Sequence, residues 1–285
     1  MSLLSRKQKP KVKYRSIWVE IGAILVTSIV FIFPFLFILF TAGKDAKSAF
    51  KLEFSIPEKW YLWENLLTVI QADKYLIIRA TYNTLVLTIF SVTLLVLISG
   101  MTGYVIQRKT NRVTSTASFM VLTALIIPPA IVPTIWVLQK IGLYKTMTGM
   151  VLIEVAYGMA FAILIFRNFV ATIPRELDEA AIIDGCTGWA LYFRIIFPLL
   201  KPVTLTIIII ATVSIFNDFV NPLYFLPGEK NATLQQTLYN FQGRYSTQWH
   251  LLFADILYIT IFPLVAFIFF NKKIIAGMTA GSVKG

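Results

Sequence analysis

The chain alternates long apolar runs with short charged breaks. A helix that crosses a bilayer needs about 20 predominantly apolar residues. Six stretches meet that requirement: Ile17–Phe40, Tyr82–Tyr104, Ala117–Leu138, Met147–Phe169, Val203–Phe225 and Leu251–Phe270. The first break, Thr41–Thr81, mixes charges of both signs with Pro57, Trp60 and Trp63, and such aromatics suit a membrane interface. Pro128, Pro129 and Pro133 interrupt the third stretch. Proline removes a backbone donor, and in lipid the freed carbonyls must be met by neighbouring helices or water. That pattern reads either as a packing kink or as a helix bent around a cavity. A second long polar break, Ile173–Pro202, lies between the fourth and fifth stretches.

Composition agrees with this layout. Hydrophobic residues make up 57% of the chain and charged residues 14%, against about a quarter charged in soluble domains. The expected fold is an all-α integral membrane protein with six transmembrane helices. The formal charge of +12 does not point to nucleic acid, because Lys and Arg gather in the cytoplasmic loops of membrane proteins. With the N-terminus inside, 16 of the 26 Lys and Arg residues fall on the cytoplasmic side, which predicts both termini in the cytoplasm. The basic start from Arg6 to Arg15 resembles the beginning of a signal peptide, but Ile17–Phe40 is too long for a signal core and reads as a retained span. The expected organisation is a cytoplasmic tail over 1–16, a transmembrane domain over 17–272 with a cytoplasmic loop over 171–202, and a second tail over 273–285.

Several chemistries are excluded. Cys186 is the single cysteine and His250 the single histidine, so a disulfide framework, a Cys or His metal site and a His-based triad are not expected. Gly43-Lys44 lacks the glycine and the Ser/Thr of a phosphate loop, so this chain should bind neither ATP nor another cofactor by itself.

The break at Ile173–Pro202 reads as two short helices. Pro174 suits a first helical turn, and Glu176, Asp178 and Glu179 place negative charge at the positive end of the dipole. Gly185 suits a helix terminator of positive φ, and Thr187 a cap for a second helix carrying Trp189, Phe193 and Ile196. Pro198 and Pro202 are expected to end that helix. On pattern alone this is equally a pair of helices lying on the membrane.

The residues themselves carry more. Glu179-Ala180-Ala181-x-x-Asp184-Gly185, followed by Phe193, Ile196 and Pro198, resembles the EAA signature of bacterial ABC importer permeases. The flanks Ile173-Pro174-x-x-Leu177 and Phe197-Pro198 resemble its carbohydrate-uptake branch, as do Asn217-Asp218-Phe219 with Pro222-Leu223 and the tail from Gly277 to Gly285. Phe216 stands where that branch usually has tryptophan, and Ser282 where alanine is common. The resemblance implies a coupling helix docked in a groove of an ATPase subunit. Glu179 would pair with a basic group, Ala180 and Ala181 would allow close approach, Gly185 would form the elbow, and Asp184 and Pro198 complete the motif. Gly281 and Lys284 would contact the ATPases. The implied assembly contains a second related permease, two ATP-binding subunits that hold ATP and Mg, and an external solute-binding protein met by Leu226–His250. It would sit in a bacterial inner membrane and carry a sugar.

Within the spans, Ser214, Asn217, Asp218 and Asn221 fall at i, i+3, i+4 and i+7, predicting one polar stripe on the fifth helix. Asn83, Glu154 and Asp255 fall at similar depth in the outer half, and Tyr157 lies with Glu154 in the fourth stretch. Polar groups in the membrane mark pathways or cement helix interfaces. Both readings stand here: a hydrated cavity whose amides and carboxylates bind sugar hydroxyls, or a seam against the second permease. The acids also motivate an ion-coupled secondary transporter as the alternative function.

Overall fold

The computed structural model describes residues 17–242 and 247–280. The expected contacts of Gly281 and Lys284 lie outside them. No strand occurs among the described residues, so the all-α expectation holds.

Helix α1 (Ile17–Ala42) turns large apolar side chains such as Ile24 and Phe31 outward, as a lipid-facing helix does. Its end is pinned: Asn65 Nδ2 donates to the carbonyls of Ala42 and Lys44 at 2.8 and 2.9 Å. A short helix α2 (Ala46–Phe50) follows, capped by Asp45. Hydrogen bonds from Ser48 hold the exposed Asp45 carboxyl below its ordinary pKa. Helix α3 (Leu62–Arg108) is broken at Ala72–Tyr75 and then runs on as the expected second span.

The expected third span is two helices, α4 (Arg112–Ile126) and α5 (Ile131–Lys140). The break falls on Pro128 and Pro129, where missing N–H groups interrupt the ladder. Helix α6 (Met147–Val170) is continuous and packs along α3 more extensively than any other pair. Glycines make that approach close: a Cβ on Gly158 would stand 3.1 Å from Leu95. Phe166, Leu87 and Met150 fill the seam, with Thr88, Ser91 and Ser99 of α3 buried beside them.

The long polar break holds α7 (Glu176–Ile183), α8 (Gly188–Leu191), a π-turn at Tyr192–Ile196, and α9 (Phe197–Leu199). Helix α10 (Lys201–Phe216) leaves this stretch at a bend of 78°. Three local expectations change. Pro174 lies before the α7 cap, Arg175, so it sets the approach to the helix and is not in its first turn. Thr187 takes the extended conformation of a cap, but its side chain makes no capping hydrogen bond. Pro198 and Pro202 begin α9 and α10 instead of ending a helix. The reason is shared: a proline lacks only a donor that a first turn leaves unused. Upstream of Pro198, the Phe197 N–H reaches back five residues to the Tyr192 carbonyl, which widens the helix into its π-turn.

Helix α11 (Val220–Phe225), α12 (Leu234–Thr237) and α13 (Trp249–Ala280) are the remaining α-helices among the described residues. Three described helices are long and apolar enough to cross a membrane, and a fourth if the bent α8–α10 stretch counts as one span.

Candidate functional site

Two places gather the residues that the sequence singles out. The first is the outer surface of α7. The helix ends in a paired terminator: Gly185 N–H donates to Ile182 O at 3.0 Å and Cys186 N–H to Ala181 O at 2.8 Å. Gly185 takes φ +84°, which is why glycine belongs there. Glu179, Ala180 and Asp184 face outward, and Ile183 is 85% exposed. Trp189 is 70% exposed and stacks on Phe193 with centroids 6.0 Å apart. An apolar strip edged by carboxylates fits a groove with an apolar floor and a basic rim. Ala181 departs from expectation, because it is buried against the protein's own core and offers nothing outward. Pro198 is exposed in α9, just before the bend into α10. Tyr192 is buried behind this surface, and burial raises its phenol above the ordinary pKa, so it stays neutral.

Asp178 faces inward. It forms an ion pair with Arg108 at 2.8 Å and accepts from Tyr104 Oη at 2.7 Å. Arg108 Nη2 also donates to Ile173 O at 3.1 Å. In the sequence Asp178 reads only as a charge at the helix dipole, and Arg108 is one among the basic residues of the cytoplasmic side. Nothing local signals their pairing, since 70 residues separate them.

The second place is a cavity of about 270 Å³ between α3, α6 and α10. Glu154, Tyr157, Ser214 and Asn221 line it together with Leu95, Phe161 and Ile207. Glu154 Oε1 and Tyr157 Oη are buried and have no hydrogen-bond partner. The Glu154 carboxyl neighbours that of Asp218.

The expected single stripe on the fifth helix is not formed. The helix breaks at Asn217–Phe219, where the Asp218 N–H reaches Ile215 O instead of the carbonyl four residues back and the Asp218 carboxyl takes the Asn221 N–H. Asn217 Nδ2 donates to Val213 O at 2.9 Å, and Asp218 accepts from the Asn221 N–H at 3.1 Å and from its Nδ2. The break turns Asn221 toward the cavity and leaves Asn217 outside its lining, within 3.4 Å of Gln235. Asn83 also lies elsewhere: it donates to the carbonyls of Ala232 and Lys230 and holds the loop before α12. Asp255 is fully buried and accepts from Thr237 Oγ1 at 2.9 Å, joining α12 to α13.

Known proteins share this architecture. The solved structure of a bacterial ABC transporter involved in the import of the acidic polysaccharide alginate matches it in fold, with a TM-score of 0.78 at 18% identity, over 95% of this chain and 99% of that one. In sequence, the chain is 32% identical over 264 residues to a probable starch degradation products transport system permease protein, AmyC, of Thermoanaerobacterium thermosulfurigenes, covering 91% of this chain and 94% of that protein. It is 34% identical over 206 residues to the melibiose/raffinose/stachyose import permease protein MelC of Bacillus subtilis, covering 71% of this chain and 75% of that one. These likenesses bear out the resemblance to carbohydrate-uptake permeases drawn from the EAA signature. With its family match running over residues 96–276, from inside α3 into α13, this multi-pass membrane protein belongs to the inner membrane components of binding-protein-dependent transport systems.

Proposed function

We propose that the chain is one of two related permease subunits in an ATP-driven importer of sugars or oligosaccharides, with α7 as its ATPase-coupling helix. The observation that carries this is the solvent-facing strip of Glu179, Ala180, Ile183 and Trp189, held out from the bundle on a chain that has no phosphate loop of its own. An apolar and acidic strip of that kind suits insertion into a groove of a partner. Two ATPase subunits would supply ATP and Mg. Their closure would draw the two coupling helices together and switch the spans between inward-facing and outward-facing states.

In this reading six spans cross a bacterial inner membrane with both termini in the cytoplasm, the broken α4–α5 and α10–α11 each counting as one span. The loop from Leu226 to His250 would meet the solute-binding protein, and Gly281 and Lys284 the ATPases. Tyr157, Ser214, Asn221 and the Glu154–Asp218 pair would line the pathway, where hydroxyls of a passing sugar find acceptors.

The neighbouring carboxyls of Glu154 and Asp218 favour one second reading, an ion-coupled transporter that shuttles a proton between them. Uptake of labelled raffinose or maltotriose into cells distinguishes the two. The importer requires loss of uptake in Glu179→Lys, together with loss of copurified ATPase, and survival of uptake when ATP is maintained in the presence of a protonophore. Uptake that collapses with the protonophore and ignores Glu179→Lys would establish the alternative.

A further inference from the structure

We propose that Arg108, Tyr104 and Asp178 are positioning residues that carry the movement of α7 into the transmembrane bundle. This rests on the importer reading above.

Helix α7 spans eight residues, from Glu176 to Ile183, and a helix so short is not stable by itself. Its covalent connections are poor levers. On one side lie the turn residues Ala171–Arg175, and on the other the Gly185 elbow at φ +84°. Firm attachment comes from α3. The Arg108–Asp178 ion pair is 2.8 Å long, with side chains only 11% and 12% exposed. Tyr104 Oη holds the same carboxylate at 2.7 Å, and Arg108 reaches past it to Ile173 O at 3.1 Å. Opening this clasp would strand a charge in a mostly buried site, which is strongly unfavourable. Helix α7 and the end of α3 therefore move together.

The clasp is joined to the cavity through rigid packing. Arg108 is the last residue of α3, and five residues earlier Gly103 meets α6 so closely that a Cβ there would lie 2.9 Å from both Phe166 Cβ and Arg167 N. Helices α3 and α6 thus behave as one body at this end. The same two helices supply Leu95 and Glu154 to the cavity wall. Leu95 lies 13 residues from Arg108, about 20 Å along the helix at 1.5 Å per residue. A displacement of α7 arrives there as a rigid-body shift, because close-packed helices do not absorb it by compression.

The test uses the whole transporter, reconstituted with its ATPase subunits. The reference carries Cys186→Ser and Ser214→Cys, so that a maleimide reports access to the cavity before and after trapping with ATP and vanadate. Trapping is expected to change the labelling rate at least threefold in the reference. The double change Arg108→Met with Asp178→Leu leaves no charge unpaired in the clasp; it is expected to retain the ATPase and trap nucleotide while losing the labelling change. Tyr104→Phe keeps the shape of the site and is expected to reduce the change about twofold. If the labelling change survives in the double variant, or if that variant fails to assemble and Tyr104→Phe behaves as the reference, the clasp only holds the loop and the proposal is overturned. If no ATPase remains bound to the reference itself, the importer reading fails, which is a different result.

Discussion

Gly103 of α3 faces Phe166 of α6 at a distance that admits no side chain, since a Cβ on it would stand 2.9 Å from the Phe166 Cβ. The opposing atoms include backbone, so neither side yields easily. Gly103→Ala should cost about 1–3 kcal/mol as overpacking. Gly22→Ala in α1 is the control, because nothing lies within 4 Å of its added methyl and alanine favours helix. Thermal unfolding in detergent should show a lowered midpoint for the first and an unchanged or slightly raised one for the second.

The adjacent alanines of the EAA signature should separate in their effects. Ala180 faces solvent and Ala181 is buried. Ala180→Arg should leave the unfolding midpoint unchanged and reduce copurified ATPase at least tenfold, about 1.4 kcal/mol of binding. Ala181→Arg should lower the midpoint itself, because it forces a charge into the core. Equal losses of stability in the two would contradict this orientation of α7.

Legibility in the sequence follows the range of the interaction. Gly185 was readable because a helix terminator is a local device, set by one φ angle and two hydrogen bonds a few residues away. The break in the third span was readable for the same reason, from Pro128 and Pro129. The Arg108–Asp178 clasp was not, because helical periodicity tells which face a residue occupies and nothing about which distant residue meets it. The stripe from Ser214 to Asn221 failed in an instructive way. Its spacing assumed an unbroken helix, yet the Asp218 carboxyl takes the Asn221 N–H where that helix ends. The same polarity that marked the face destroyed the regularity on which the face was computed. Ala181 shows the limit of motif reading, since a motif names residues without saying which way they point.

At the elbow, backbone conformation alone should set tolerance. No atom lies within 4 Å of a Cβ placed on Gly185, so a substitution there is opposed only by its positive φ. Gly185→Ala should cost about 1–2 kcal/mol locally. Gly185→Asn should cost less, because asparagine visits that region more readily, and Gly185→Val should cost more. Transport of the labelled sugar should follow the order Gly, Asn, Ala, Val. A steric role for the elbow would instead rank the variants by size, with Asn as damaging as Val.

The cavity gives the sharpest contrast, between two asparagines four residues apart. Asn221 lines the cavity and its side chain holds Asp218. Asn217 spends its amide on the Val213 carbonyl and lies outside the lining. Asn221→Ala removes a donor from the Asp218 carboxylate and a polar group from the wall. The loss of one hydrogen bond to a charged group is worth about 1.5–3 kcal/mol. Part of that falls on the fold and part on the passing sugar, so KM for transport should rise at least fivefold. Asn217→Ala should leave KM within about twofold, because the bond it loses is internal to its own helix. Measuring both in the same reconstituted transporter, at equal amounts of assembled ATPase, separates substrate contact from assembly. A larger defect from Asn217→Ala than from Asn221→Ala would place the pathway on the other side of the α10–α11 break.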